Sequence, residues 1–445
     1  MSSSTDAHNE AVARAAQKAA ADNDRMPTGE ITDPKAAKKF DFSWAISLFG
    51  TAVGAGILFL PINAGVGGPW PLIIVTLLIG PMTYLSHRAL ARFVCKSPRK
   101  GEDITVVAAD YFGSGVGKAV TLLYFAAIYP IVLIYGVGIT NTVDSLIVNQ
   151  LGGPQIPRAL LSFVLIGLLM TVMIFGEKLM LTVSNLMVYP LIIILFVLSL
   201  YLIPSWDFSG FHQMPNIGSL LMTIFLVIPV LVFAFNHSPA ISQFSLAMQR
   251  AHGEKAADNA SWALKRTATI LVVFTMLFVW SCSLALGPDG LQAARESNLP
   301  VLSYLANVRD EAFISYMGPF IAILAIGTSF FGHYLGAAEG AAGIVRAVAP
   351  QASKKTVSIG VAVFIFITTW ITAIINPSIL GLIETLGGPV IAAILYIMPM
   401  IAIYKVPALA PYRKQASNIF VIIAGLVAIS GILYGVGNMI LNALS

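Results

Sequence analysis

Long stretches of this chain carry no Asp, Glu, Lys or Arg. Residues 42–87 hold none, and further charge-free runs cover 119–143, 159–176, 179–206, 208–249, 267–288, 312–338 and 415–445. Apolar residues in these runs are continuous rather than alternating. The pattern therefore predicts helices that are apolar all round and about 20 residues long, long enough to cross a bilayer. It argues against a β-barrel, whose strands alternate. Residues 42–87 are long enough for two helices, joined by Gly65-Val66-Gly67-Gly68-Pro69. Residues 356–404 carry a single charge, Glu384, over the length of two more, with Asn376-Pro377 as the turn. The expectation is an all-α membrane protein with eleven transmembrane helices, at about 42–65, 69–94, 118–147, 158–175, 179–203, 218–248, 264–287, 314–346, 356–374, 377–404 and 416–440.

Basic residues orient these spans. With residues 1–39 read as a mobile cytoplasmic tail, alternation puts 23 of the 26 Lys and Arg on the inner side. Only Arg158, Arg295 and Arg309 fall outside. Such an asymmetry is what the positive-inside rule describes. One span more or fewer would scramble it. The N-terminus is expected in the cytoplasm and the C-terminus in the periplasm. No apolar stretch follows Met1, so no cleavable signal peptide is expected.

Composition agrees with the pattern. Hydrophobic residues make up 57% of the 445 and charged residues 11%, against roughly 25% charged in soluble domains. Two cysteines, Cys95 and Cys282, are too few for a disulfide framework or a four-ligand zinc site, and read as packing residues. There is no Gly-x-x-x-x-Gly-Lys-Ser/Thr loop, so ATP is not the direct driver. Neither His-Glu-x-x-His nor Gly-x-Ser-x-Gly occurs, so intramembrane hydrolysis has no obvious chemistry. The loops are too short to hold a receptor or enzyme domain. Movement of a solute by carrier or channel remains, with the lipid bilayer as the surrounding partner. No cofactor, metal or nucleic acid is expected.

Interruptions in the helices favour a carrier. The first span contains Gly50, Gly54 and Gly56, followed by Pro61. The sixth contains Phe235-Asn236-His237-Ser238-Pro239. Both stretches weaken a helix at bilayer depth. Two broken spans, the first and the sixth, suggest two five-helix inverted repeats plus one extra helix. The repeats would cover residues 40–203 and 204–404, with the eleventh helix and a periplasmic C-terminus in 405–445. Unwound backbone exposes N–H and C=O groups that lipid cannot satisfy and a ligand can. Half-helix N-termini favour a carboxylate and carbonyl ends favour an ammonium, so a small zwitterion fits. Glycines at this spacing also serve helix packing alone. His237 is either a satisfied buried histidine or a functional one.

Other polar groups at depth are candidates for coupling. Span eight carries Thr328, Ser329 and His333, the last two on one face. Its Gly332, Gly336, Gly340 and Gly343 read as a packing stripe. Glu384 in span ten would be costly as an anion and is expected to be protonated or paired, with a bend at Gly387-Gly388-Pro389. Tyr129 or Tyr135 on span three is a candidate gate.

Four segments carry a resemblance. They are Gly54-Ala55-Gly56-Ile57-Leu58-Phe59-Leu60-Pro61, Phe235–Pro239, Ser329-Phe330-Phe331-Gly332-His333-Tyr334-Leu335-Gly336 and Asn376–Pro389. Together they resemble the bacterial hydroxy and aromatic amino acid permeases, and within them the serine transporters. The likeness covers about residues 42–440. It implies an inner-membrane symporter of L-serine or a related small amino acid with a proton, folded like the amino acid–polyamine–organocation superfamily. Threonine or an aromatic amino acid is the alternative substrate. Mapped on that fold, Thr51, Gly54, Ala55, Gly56 and Ile57, with Phe235, Asn236, His237 and Ser238, would hold the substrate. Tyr129 and Ser329 would stand beside it. His237, His333, Glu384, Thr328 and Ser329 would serve ion coupling. Hydroxyl residues on helix eight bind sodium in relatives of this fold, so Na⁺ is the alternative to the proton.

Overall fold

The computed structural model describes residues 29–102, 104–174, 177–309, 311–349, 351–383 and 388–444. Among them every regular element is helical. The chain enters through α1 (Pro34–Ala52), α2 (Ala55–Gly65) and α3 (Pro69–Cys95). It continues through α4 (Ile104–Phe112), α5 (Ser114–Ser145), α6 (Arg158–Ile174) and α7 (Glu177–Tyr201). Next come α8 (Ile217–Ala234), α9 (Ser238–His252), α10 (Ala256–Glu296), α11 (Val301–Val308) and α12 (Ala312–Val348). It closes with α13 (Lys354–Ile375), α14 (Ile379–Leu382), α15 (Gly388–Ala392), α16 (Met398–Lys405) and α17 (Ser417–Leu444). Seven helical segments among the described residues are long and apolar enough to cross a membrane, or eight with the bent pair Pro34–Ala52 and Gly56–Gly65 taken as one. Arg158–Ile174, Val390–Lys405 and Ser417–Gly431 are shorter apolar helices. Large apolar side chains such as Leu77, Leu186 and Ile375 are at least 70% exposed, an arrangement water would not tolerate over so many helices and lipid does.

Local chemistry sets the ends. Residues 34–39, expected in the tail, are instead the first turns of α1. The Asp33 carboxylate accepts from the N–H groups of Lys35 and Ala36 at 3.1 and 3.2 Å, and Pro34 takes the first position. A basic cluster does not oppose a helix that begins outside the lipid. Asn376 ends α13 in the left-handed conformation at φ 53°, ψ 54°, which asparagine tolerates at a helix C-terminus, and Pro377 follows. Gly287, at φ 66°, kinks α10 where span seven was expected to end, and helix continues beyond the kink to Glu296. α4 and α11 were not anticipated; neither is long enough to span. α4 carries Asp110, whose carboxyl is held below its usual range by the hydrogen-bonded Arg99 guanidinium.

Three contacts position the interior. α12 lies along α5 through its glycines: a Cβ at Gly336 would stand 2.9 Å from Ile128, and at Gly340 3.0 Å from Phe125. The stripe is therefore a packing surface, as its spacing suggests. At the end of the bundle where α10 stops, Asn298 donates to Asn376 Oδ1 and to the Pro377 carbonyl, both at 3.1 Å, and accepts from the Ile379 N–H at 3.0 Å. Asn141 donates to the Asn298 carbonyl at 2.9 Å and accepts from Arg158 at 2.7 Å. At the opposite end the Ile31 N–H donates to the Ala251 carbonyl at 2.9 Å, and Asp41 meets His252 Nε2 at 2.7 Å.

Candidate functional site

α1 stops at Ala52 because Val53 and Gly54 leave the helix, Gly54 with extended angles of −139° and −158°. The chain turns by 62° before it resumes. The carbonyls of Thr51 and Val53 are not left bare. The Ser329 hydroxyl reaches both at 3.3 Å. Gly54 makes that approach possible, since a Cβ there would fall 2.2 Å from Ser329 Oγ and 2.9 Å from the Tyr135 hydroxyl. Gly56 does the same on the other side, where a Cβ would stand 2.7 Å from the Phe233 ring and 2.8 Å from the Ala234 Cα. The start of α2 is thus pressed against the end of α8. The side chain of Thr51 donates to the Ser47 carbonyl at 3.0 Å, and Ile57 is fully buried.

The second break lies between Ala234 and Ser238. Pro239 cannot supply a helical N–H, and Asn236 offers its side chain to the backbone instead. Asn236 Oδ1 accepts from the Ser238 N–H at 3.0 Å and so caps α9. Phe235, Asn236, His237 and Ser238 are all buried. Two polar atoms in the break have no hydrogen-bond partner among the described residues, Asn236 Nδ2 and His237 Nε2. One is a donor and the other a ring nitrogen. The His237 N–H is taken by His87 Nε2 from α3 at 3.1 Å, and the two imidazoles stack with centroids 3.5 Å apart.

Of the remaining candidates, Ser329 and His333 stand at the first break. His333 Nδ1 meets the Ser329 carbonyl at 2.9 Å, and its ring packs edge-on against Tyr135 at 5.3 Å. Thr328 turns its hydroxyl into its own helix, to Leu324 and Ala325 at 2.9 and 3.1 Å. Tyr129 stands apart from both breaks in a stack with Phe125 and Phe364. Tyr135, two turns on, takes the place beside Gly54. Glu384 lies outside the described residues, and so does the side chain of Ala55. Among the described residues no three His, Cys, Asp or Glu are grouped to hold a metal. Sequence reasoning missed His87. It closes a charge-free run beside Arg88, and a lone neutral histidine there gives no pattern.

The arrangement brings two broken helices into contact. Near them lie a donor and an acceptor without partners among the described residues, and a hydroxyl on two carbonyls. Such a place can receive a small molecule with both an anionic and a cationic end.

Residues 39–442 match the tryptophan/tyrosine permease family. The chain is 49% identical over 408 residues to the serine transporter SdaC of Escherichia coli, covering 89% of this chain and 95% of that one. It is 38% identical over 425 residues to the threonine/serine transporter TdcC of Escherichia fergusonii, covering 90% and 96%. Among solved structures it superposes on a variant of the Eremococcus coleocola manganese transporter with a TM-score of 0.61 at 12% identity, over 95% of this chain and 92% of that one. It superposes on MhsT in complex with L-phenylalanine with a TM-score of 0.54 at 15% identity, over 92% and 99%. These two show a shared fold. The chain is a multi-pass membrane protein of amino acid transport rather than an enzyme, and it belongs to the tryptophan/tyrosine permease family.

Proposed function

We propose that this chain imports L-serine across the bacterial inner membrane together with a proton, by alternating access around the two helix breaks. One observation carries the reading: Gly56 lies against Phe233 and Ala234 at the end of α8, next to the second break, where Asn236 Nδ2 and His237 Nε2 are unpartnered among the described residues. The names of SdaC and TdcC supply the substrate class, with threonine as the nearest alternative. The substrate carboxylate sits against the first-turn N–H groups of α2, and the ammonium against carbonyls at the ends of α1 and α8. Eleven spans in two inverted repeats of five, at 40–203 and 204–404, with one extra helix, complete the architecture.

The test is uptake of labelled L-serine into proteoliposomes with pH and sodium gradients imposed separately. A proton gradient alone is expected to drive accumulation, and serinamide, which lacks the carboxylate, to compete poorly. A specific observation favours a second reading. Ser329 Oγ lies 3.3 Å from two carbonyls of the first break, a set of hard oxygens suited to Na⁺. Accumulation driven by sodium alone, and lost in Ser329→Ala, would replace proton coupling with sodium coupling.

The bias of basic residues supports an N-terminus in the cytoplasm and a C-terminus in the periplasm. Alkaline phosphatase fused after Ser445 is expected to be active. An inactive fusion, with a cytoplasmic reporter active at the same place, would overturn either the span count or the orientation.

A further inference from the structure

We infer that His87 and His237 form a one-proton site, in which His237 Nε2 takes the proton and His87 is the positioning residue. The inference rests on the proton-symport reading and names where that proton sits. Both rings are 1% exposed. They stack with an interplanar angle of 8°.

The hydrogen bonds fix both tautomers. His87 Nε2 faces a backbone N–H at 3.1 Å, so it is an acceptor and bears no proton. Its proton is on Nδ1, which donates to the Thr83 carbonyl at 2.8 Å. His237 Nδ1 faces the Phe235 carbonyl at 3.1 Å, so it carries that ring's proton. His237 Nε2 is left as a buried lone pair with no partner among the described residues.

The two nitrogens are not equivalent toward an added proton. Protonating His87 Nε2 would turn an acceptor into a donor facing a donor, and release the His237 N–H. Protonating His237 Nε2 breaks neither bond. The first proton therefore goes to His237. A second is opposed by the first charge, one ring-stacking distance away. The site saturates at one proton, taken from water on the open side and returned to water on the other, with only an N–H bond made and broken.

Coupling follows from position. His237 stands at the N-terminus of α9, where the helix dipole disfavours a cation. A carboxylate bound at the breaks would offset that penalty. By linkage the proton then strengthens carboxylate binding by the same factor. Among the described residues few other titratable groups act on the pair. Tyr396, from the segment between α15 and α16, is hydrogen-bonded to Ser86, which also contacts His87 Nδ1 at 3.3 Å. The neighbouring Arg88 points away to Ser417 and Gln415. Among the described residues no carboxylate acts on either ring; Glu384 lies outside them.

The test uses the purified full-length protein in lipid nanodiscs and weak buffer, with L-serine as probe and a pH-indicator dye. Wild type is expected to take up about one proton per serine bound. His237→Gln, with His237→Asn alongside in case the first does not fold, should take up none. His87→Gln keeps an acceptor for the His237 N–H but cannot stack as a ring. It should bind serine within about fivefold of wild type at acid pH, while the pH midpoint of proton uptake moves by at least about half a unit. A merely structural His87 would leave that midpoint in place. Proton uptake by both His237 variants, or an unmoved midpoint in His87→Gln, would refute the pair and leave proton symport standing. No proton uptake in wild type, with sodium-dependent binding, would overturn the symport reading and the pair with it.

Discussion

Gly56→Ala is expected to lower L-serine transport about 100-fold, or ~2.7 kcal/mol, within the range overpacking costs. One methyl group suffices because the space is already occupied. The added Cβ would stand 2.8 Å from the Ala234 backbone, which cannot swing aside as a side chain can. α2 and α8 must then part, and with them the two breaks. Gly54→Ala should do similar harm by striking Ser329 Oγ and Cβ at 2.2 and 2.6 Å. In that case the obstacle is a side chain. Ser329→Gly combined with Gly54→Ala should therefore recover part of the lost binding. Serine binding and thermal unfolding of the purified variants separate a damaged site from a damaged fold. Transport by Gly56→Ala above half the wild-type rate would refute the close-approach argument.

The knot around Asn298 should carry the largest effect on stability. Its side chain makes three hydrogen bonds, each worth about 1 kcal/mol net, so Asn298→Gly should cost about 3 kcal/mol. Asn298 sits at φ 52°, where alanine is strained by a further ~1 kcal/mol or more. Thermal unfolding should rank wild type above Asn298→Gly and Asn298→Gly above Asn298→Ala. Equal midpoints for all three would show that the knot does not hold that end of the bundle together.

Lipid explains why so much was legible in the residues. It excludes charge, so the spans announce themselves as charge-free runs, and breaks at Gly54 and at Asn236-His237 show because helix-weakening residues cluster there. Elements outside the lipid obey no such rule. α4 and α11 are apolar but only nine and eight residues long, too short to stand out as charge-free runs, and the basic Lys35–Lys39 stretch conceals the start of α1. Contacts between distant residues leave no local trace either. Tyr129 and Tyr135 look alike in sequence, and only packing sets Tyr135 beside Gly54 and Tyr129 against Phe364. His87 needed its partner 150 residues away to become visible.

The bonds from Ile31 to Ala251 and from Asp41 to His252 tie the start of the first broken span to the end of the second. In the alternating access proposed above, they would bias how long each side stays open. Two such bonds, together worth about 1–3 kcal/mol, shift the ratio of the two populations by roughly 5- to 150-fold if present in only one of them. Under the proposed cycle, the occupancy of the opposing conformations, and with it the turnover, is set in part by a few polar atoms at one end of the bundle, outside the two helix breaks.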